Sequence, residues 1–234
     1  MLPGIEKQLP PTLQRHTNVY PTTCYLITFL PITLNMIKVI IFDFDGTVAD
    51  TFDAIVKITN RLALKFGYKP ASQEDLVKIK NLSSREIIKQ SGVSVFKLPF
   101  LLRKIKTELN HEIHQLRPVP GIQEALTELK NQGNQIGIIT SNDKKNVIFF
   151  LQSHDLYKTF DFIYSEATLF GKSRVINHFL KHAKLKPEEA IYVGDETRDI
   201  EAAKRSQIKM IAVSWGFNSE EVLAAHEPDF LIHQ

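Results

Sequence analysis

Short apolar runs alternate with longer amphipathic stretches along most of the chain. The first run covers residues 38–42 and is followed at once by acidic residues and a glycine. A continuous apolar run of this length is typical of a strand buried on both faces of a parallel sheet. Similar runs occupy residues 136–139, 161–164, 190–193, 210–213 and 230–232. Helical periods fill the intervals, so the pattern predicts an α/β protein with a doubly wound parallel sheet.

One stretch, residues 52–117, interrupts this alternation because it has no good strand pattern. Ser83 and Glu86 have the spacing of a capping box, which predicts the start of a helix. Pro99 suits the first turn of a further helix. A helical face is formed by Ile55, Ile58, Leu62 and Phe66. We therefore expect a small helical domain inserted after the first strand.

These patterns predict three parts of the chain. Residues 36–51 and 118–234 form the α/β core, and residues 52–117 form the inserted helical domain. Residues 1–35 contain prolines at positions that break any regular element, so we expect a loose extension there. Met36 stands directly before the first strand, and we favour it as the true start.

Composition and charge narrow the possible partners. The chain is 43% hydrophobic and 24% charged, with a net charge of +3, which is too small to indicate a nucleic-acid partner. The apolar run at 24–34 falls short of the ~20 residues that a membrane helix needs. The single cysteine, Cys24, excludes an internal disulfide and fits a reducing compartment. We expect a cytoplasmic protein without a membrane partner.

Two acids follow the first predicted strand directly, in the segment Asp43-Phe44-Asp45-Gly46-Thr47. Sites in parallel sheets lie outside the carboxyl ends of the strands, and strand alternation points Asp43 and Asp45 the same way. Two neighbouring carboxylates call for a positive partner, and Mg²⁺ prefers such oxygen ligands. A polar strand end leading into a turn explains this segment alone equally well.

A second acidic strand end follows residues 190–193, in Gly194-Asp195-Glu196-Thr197-Arg198-Asp199. Asp195 and Asp199 are four residues apart, so both can face one site. Acids in the first turn of a helix also have a purely capping interpretation. Because two such ends follow buried strands of one predicted sheet, we favour a shared metal.

Two further segments contain residues of the types that bind phosphate, although each signal is weaker than the acidic strand ends. Thr140 and Ser141 follow the strand at 136–139 and combine hydroxyls with free backbone N–H groups. Lys172 could neutralise phosphate charge. Taken alone, each segment has a simpler interpretation, which is an ordinary helix cap for Thr140 and Ser141 and a solvated surface lysine for Lys172.

Together the four segments resemble the haloacid dehalogenase-like hydrolase superfamily. The acids of residues 43–47 are similar to its first motif, Thr140 to its second, Lys172 to its third, and Gly194-Asp195 with Asp199 to its fourth. The resemblance extends over about residues 37 to 232. Residues 52–117 resemble the C1 helical cap, a layout shared by phosphoglycolate phosphatase-like members and β-phosphoglucomutases.

The resemblance implies a phosphatase mechanism. Asp43 would attack phosphorus and carry an aspartyl-phosphate, while Asp45 would protonate the leaving alcohol and later activate water. The Mg²⁺ ligands would be the Asp43 carboxylate, the Asp45 backbone carbonyl and the Asp195 carboxylate, supported by Asp199.

Phosphate and substrate contacts follow from the same resemblance. Thr140, the N–H of Ser141 and Lys172 would hold the phosphoryl oxygens. The cap would select the substrate, with Arg85 as a candidate contact that could equally be a surface arginine. The expected partner is a small phosphorylated metabolite, foremost phosphoglycolate and then a sugar phosphate. The sequence does not indicate an oligomeric state.

Other functions of the same fold remain open to different degrees. A phosphomutase would share every motif residue. Dehalogenases lack the second acid of the first motif and phosphonatases have alanine there, so Asp45 argues against both. A non-enzymatic binding protein on this fold is opposed by the complete set of motif residues.

Overall fold

Six parallel strands form the centre of the protein in the computed structural model, which describes residues 36–165 and 171–233. The predicted α/β fold with a doubly wound parallel sheet is confirmed. The predicted extension, residues 1–35, lies outside the described residues. Along the chain the strands are β1 Val39–Phe42, β2 Ala49–Asp50, β3 Arg117–Pro118, β4 Gln135–Thr140, β5 Phe162–Ser165, β6 Ala190–Gly194, β7 Lys209–Val213 and β8 Phe230–Ile232.

Strand β1 lies in the middle of the six-stranded sheet, whose order is β5-β4-β1-β6-β7-β8. Its Ile41 pairs with Gly137 on β4 and with Tyr192 on β6. After β1 the chain forms β4 and β5 on one side of it and then crosses to form β6, β7 and β8 on the other side. In sheets of this type the crevice opens where the strand order reverses, here at the carboxyl ends of β4, β1 and β6.

Both faces of the sheet are covered, which explains why β1 is apolar throughout. Ile40 and Phe42 join the core cluster on one face, whereas Val39 and Ile41 join the cluster on the other. Side chains that alternate between two buried faces leave no polar position within the strand.

Four helices lie between β2 and β3, and we call this segment, residues 52–116, the helical insertion. The predicted helix face, capping box and first-turn proline are confirmed in α1, α3 and α4 respectively. The polar helix α2 was not predicted, although Ser72 and Asp75 form a capping box at its start. The helices are α1 Phe52–Phe66, α2 Gln73–Lys80, α3 Ser84–Ser91 and α4 Leu98–Glu112.

The chain enters and leaves the helical insertion through a small antiparallel ribbon. Ala49 of β2 pairs with Pro118 of β3, and the Val119 N–H donates to the Val48 carbonyl at 3.0 Å. Two-residue strands are too short to show a period of two, so the sequence predicts no strand here. The ribbon holds the two segments that connect the core to the insertion side by side.

The remaining helices cover the sheet in two layers. Helices α5 and α6 contribute to the core cluster that contains Ile40, and α7, α8 and α9 contribute to the cluster that contains Val39. Within the described ranges, no helix combines the length and apolar character needed to cross a bilayer. These helices are α5 Ile122–Asn131, α6 Lys144–Ser153, α7 Lys172–Ala183, α8 Thr197–Ser206 and α9 Glu220–Ala225.

Candidate active site

The site lies at the carboxyl ends of the three central strands. Asp43 follows β1, Thr140 is the last residue of β4, and Asp195 follows β6. Each of the three residues is at most 1% exposed. Since β4, β1 and β6 are neighbours in the sheet, residues about 50 to 150 positions apart in the chain meet at one edge.

Lys172, the first residue of α7, is buried between two of the predicted acids. Its Nζ lies 2.5 Å from Asp43 Oδ2 and 2.5 Å from Asp199 Oδ1. Burial alone would lower the pKa of this amine, but the carboxylates of Asp199 and Asp43 outweigh that effect and raise it. The surface-lysine interpretation is therefore wrong, and Lys172 is a buried cation in contact with Asp43.

Asp195 is held in place by two donors that face its two oxygens. The Thr47 hydroxyl donates to Oδ1 at 2.7 Å, and the Phe217 backbone N–H donates to Oδ2 at 2.7 Å. Gly46 lies beside this carboxylate with a φ of +74°, and a Cβ there would overlap both Asp195 and Phe217. The glycine of the first segment is thus needed for the turn and also for space next to Asp195.

Asp45 is buried, and its surroundings change the pKa of its carboxyl group. Burial, followed by the charge of Asp43, raises the pKa of Asp45 from 3.8 to about 7. The Asn142 side chain opposes this shift by donating from Nδ2 to Asp45 Oδ1 at 3.0 Å. A carboxyl group with such a pKa can hold or release a proton near neutral pH.

The hydroxyls of Thr140 and Ser141 lie in the loop between β4 and α6. Helix α6 is capped by Asp143, whose side chain accepts from the Lys145 N–H at 2.9 Å, so the cap interpretation of Thr140 and Ser141 is wrong. Thr140 Oγ1 accepts from the Asn142 N–H at 3.0 Å. The loop therefore has a structure of its own before the helix begins.

Asp199 serves two purposes at once. Its Oδ1 contacts Lys172, while its Oδ2 accepts from the Glu196 backbone N–H at 3.2 Å, inside the first turn of α8. Burial raises the pKa of Asp199 to about 6; Lys172 opposes this and Asp43 reinforces it. The capping interpretation thus holds for one oxygen, and the other belongs to the acidic cluster.

A buried ion pair between Glu196 and Arg198 was not predicted. Arg198 Nε lies 2.5 Å from Glu196 Oε2, and Nη2 lies 2.6 Å from Oε1. Burial would raise the pKa of Glu196, yet the guanidinium lowers it. The Ser84 hydroxyl of the helical insertion donates to the same carboxylate at 2.9 Å, and Arg198 Nη1 lies 3.4 Å from Ser141 Oγ. Neither residue has a spacing signal in the sequence.

Acids outnumber cations in this part of the molecule. Within the described residues, the buried acidic side chains are Asp43, Asp45, Asp195, Glu196 and Asp199, and the cations among them are Lys172 and Arg198. Burial, and then the charges of Glu196 and the other acids, raise the pKa of Asp195 well above its ordinary value. One carboxylate oxygen each from Asp43, Asp195 and Asp199 lie within 4.8 Å of one another. A hard, oxygen-preferring cation such as Mg²⁺ fits this donor set.

Arg85, the predicted substrate contact of the insertion, is placed differently. It lies on α3, its side chain is about half exposed, and its Nη2 is 3.1 Å from Glu201 Oε2 on α8. The structure therefore places Arg85 at a junction between the insertion and the core, where it pairs with Glu201.

Comparisons with known proteins agree with the fold and the motifs. The family model described as haloacid dehalogenase-like hydrolase matches residues 40–213. A phosphoglycolate phosphatase from Synechococcus elongatus is 34% identical over 195 residues, which cover 83% of this chain and 92% of the relative. A pyrophosphatase PpaX from Bacillus cereus is 28% identical, covering 84% of this chain and 92% of the relative.

Solved structures give the same picture at the level of the fold. The crystal structure of a predicted phosphatase from Clostridium acetobutylicum superimposes with a TM-score of 0.73 and 21% identity, covering 85% of this chain and 94% of that one. With the family model, the related sequences and the strand-end acids in agreement, the chain belongs to the haloacid dehalogenase-like hydrolase family.

Proposed function

We propose that this hydrolase is a Mg²⁺-dependent phosphatase that cleaves a small phosphate monoester through a covalent intermediate on Asp43. The observation that carries the proposal is the difference between two neighbouring acids. Asp43 is bound by the Lys172 ammonium, whereas Asp45 has a pKa raised to about 7. One acid is thus suited to act as a nucleophile and the other to carry a proton.

In the first step, an Asp43 carboxylate oxygen attacks phosphorus and the bond to the ester oxygen breaks. Asp45 gives its proton to that oxygen, so an alcohol leaves instead of an alkoxide. An alkoxide is a poor leaving group, and protonation by a positioned acid typically contributes ~10²–10⁴-fold to the rate. Asp43 now holds the phosphoryl group as an acyl phosphate, and Asp45 is a carboxylate.

In the second step, the Asp45 carboxylate takes a proton from water while the water oxygen attacks phosphorus. The bond between phosphorus and the Asp43 oxygen breaks and releases inorganic phosphate. Both acids return to their starting states. The donor from Asn142 to Asp45 Oδ1 holds the acid in one orientation through both steps.

The cation would be held by Asp43, by Asp195 and, as the family resemblance implies, by the backbone carbonyl of Asp45. When bound, it lowers the repulsion between the Asp43 carboxylate and the phosphate dianion. Thr47 and the Phe217 N–H orient Asp195 for this task.

The phosphoryl oxygens would be held by the side chain of Thr140, the N–H of Ser141 and the Lys172 ammonium. Lys172 already lies against Asp43, so it can contact an oxygen of the group that Asp43 receives. Asp199 keeps Lys172 in place from the opposite side.

The helical insertion would act as the cap that selects the substrate, a small phosphorylated metabolite. The leading candidate is 2-phosphoglycolate, because the relative that shares 34% identity is named for it. Sugar phosphates come next. A cytoplasmic location and the absence of nucleic-acid and membrane partners belong to the same proposal.

The experiment is phosphate release by the purified protein from a panel of esters, with and without Mg²⁺. The panel contains 2-phosphoglycolate, several sugar phosphates, an aryl phosphate and, because of the PpaX relative, pyrophosphate. Release that needs Mg²⁺ and is abolished in Asp43→Asn supports the proposal. Full activity after exhaustive chelation contradicts it. Sugar phosphate isomers formed faster than free phosphate would instead identify a phosphomutase.

A further inference from the structure

A chain of side-chain amides connects the helical insertion to Asp45. Asn110 on α4 donates from Nδ2 to Asn146 Oδ1 at 2.5 Å, and Asn146 on α6 donates to Asn142 Oδ1 at 3.0 Å. Asn142 in turn donates to Asp45 Oδ1 at 3.0 Å. Asn142 and Asn146 are 2% and 1% exposed, so water does not compete for the bond between them or for the bond to Asp45; Asn110, at the other end, is exposed.

Backbone groups determine which atom of each side-chain amide is the oxygen and which is the nitrogen. The Asp143 N–H can only donate, and it lies 2.7 Å from Asn142 Oδ1, which identifies that atom as the oxygen. The carbonyl of Lys106 on α4 can only accept, and it lies 3.1 Å from Asn146 Nδ2, which identifies that atom as the nitrogen. Neither amide can flip without placing two donors or two acceptors against each other.

The fixed direction determines what Asp45 meets. With its Oδ1 engaged by Asp143 and Asn146, Asn142 must present its NH₂ group to Asp45. A flipped Asn142 would turn an oxygen toward the carboxylate, which is repulsive in a buried site. Asn146 therefore reinforces, together with the Asp143 N–H, the orientation in which Asn142 donates to Asp45, although Asn146 does not touch Asp45.

The position of Asn146 in the sequence supports a specific role. It lies on the buried side of α6 with Val147, Phe150 and Leu151, all of which are apolar. A buried amide at such a position costs free energy unless every polar atom has a partner. Here the partners are contributed by the insertion on one side and by the Asp45 environment on the other.

We propose that Asn146 is a positioning residue that keeps Asn142 donating to Asp45 and links this orientation to the seating of α4 against the core. The proposal rests on the phosphatase function proposed above. The insertion thereby contributes to the proton-transfer step of the reaction as well as to substrate selection.

The first test uses Asn146→Ala and Asn146→Leu, because leucine restores the volume of the side chain without its polarity. We expect both to slow the cleavage of an alkyl phosphate by roughly 10- to 100-fold, since a misplaced acid protonates the leaving group poorly. The first-turnover rate with an aryl phosphate, whose leaving group needs little protonation, should fall less than about threefold. KM and Mg²⁺ affinity should change less than about twofold.

The control is Asn134→Ala, which also removes a side-chain amide bonded to a backbone carbonyl, that of Leu129. It lies outside the amide chain and should leave the ratio of alkyl to aryl rates unchanged. A recovery of wild-type alkyl rates in Asn146→Leu would show that Asn146 only fills space and would overturn the proposal. Equal losses on both substrate types would also overturn it.

A double-mutant cycle tests whether Asn146 acts through Asn142. Asn142→Ala should show the same substrate dependence, and adding Asn146→Leu to it should cost less than about a further twofold. Multiplicative losses would contradict the proposal. If no ester is cleaved by the wild type, the proposed function fails, and the structural part is tested alone by NMR of the metal-free protein. Protected Asn142 side-chain amide protons that become exchangeable in Asn146→Leu support the positioning role, and unchanged protection refutes it.

Discussion

The core differs from the two short helices of the insertion, α2 and α3, in what holds each of them in place. Asp43 and Asp195 follow strands that are buried on both faces, Asp199 lies in the first turn of α8, and all three are at most 1% exposed. In the insertion, α2 and α3 contain no buried residue and begin with capping boxes at Ser72 and Ser83. A packed core holds atoms in one arrangement, whereas short solvated helices depend on local polar contacts that water can replace.

The contacts between the two parts show the same difference. Around Lys80 the insertion meets the core through polar bonds: Asn218 Nδ2 donates to its carbonyl at 3.1 Å, and Lys80 Nζ donates to the Gly216 carbonyl at 3.2 Å. These bonds lie next to the loop that holds Asp195, since the Phe217 N–H donates to that carboxylate. The acids proposed for the chemistry thus belong to the core, whereas the insertion adds polar contacts around Lys80 and, through Asn110, a hydrogen bond to the amides that lead to Asp45.

The largest effect is expected for Asp43→Asn, which removes the nucleophile from the core. The kcat should fall by roughly 10³-fold or more, and mass spectrometry should detect no phosphoenzyme. Asp53→Asn, an exposed acid at the start of α1, is the control and should retain activity. Phosphate trapped on a residue other than Asp43 would refute the assignment.

The next largest effect is expected for Asp45→Asn, which retains the nucleophile but loses the proton carrier. Cleavage of an alkyl phosphate should fall by about 10²-fold or more, while the first turnover of an aryl phosphate should be affected less. The second step still needs a base, so phosphoenzyme should accumulate on Asp43 in rapid-quench samples. Steady turnover without any covalent species, in this variant and in the wild type, would favour direct attack by water.

A smaller effect is expected for the stability of the metal-free protein as a function of pH. The pKa values of Asp45 and Asp199 are raised to about 7 and about 6, and that of Asp195 is raised as well. The folded protein binds these protons more tightly than the unfolded chain. The contribution of Asp45 and Asp199 to stability is therefore complete below about pH 4 and is lost as the pH rises through about 6 to 7, and Asp195 acts in the same direction.

Calorimetry should accordingly show a Tm that falls by a few degrees between about pH 5 and 8 without Mg²⁺. Glu196, whose pKa is lowered, titrates below this window. Mg²⁺ binds the carboxylate form, so it should raise the Tm more at pH 8 than at pH 6. A metal-free Tm that rises with pH, or a Mg²⁺ effect that is larger at low pH, would contradict the proposed cluster.

The smallest effect is expected for Arg85→Ala in the insertion. Its ion pair with Glu201 is exposed and contributes about 1 kcal/mol or less to stability. We expect kcat/KM to change by a few-fold, to different degrees for 2-phosphoglycolate and the sugar phosphates. It should change very little for a small aryl phosphate. Lys89→Ala on the same helix is the control. An equal loss on every substrate would show that the insertion does not act as a selective cap.

The sequence alone determined most of the fold. All six strands of the main sheet were predicted because strands buried on both faces are largely apolar, as Val39–Phe42 shows. Helix α4 followed from its apolar period and Pro99. The ribbon of Ala49–Asp50 with Arg117–Pro118 and the polar helix α2 were missed, because neither buries enough apolar surface to leave a pattern.

For the site, the sequence determined which strand ends carry acids, because a charge directly after an apolar strand is conspicuous without any structure. Only the tertiary structure showed that Asn146 reaches Asp45 through Asn142 and that Glu196 pairs with Arg198. Asn142 and Asn146 are four residues apart, and Glu196 and Arg198 are two apart. Their spacing does not show that folding buries these side chains, or that it brings Asn142 to Asp45, 97 positions away in the sequence. The pKa of Asp45 was also decided by the tertiary structure: burial is the largest cause of its rise, and the charge of Asp43, two residues away, adds to it inside the same buried site.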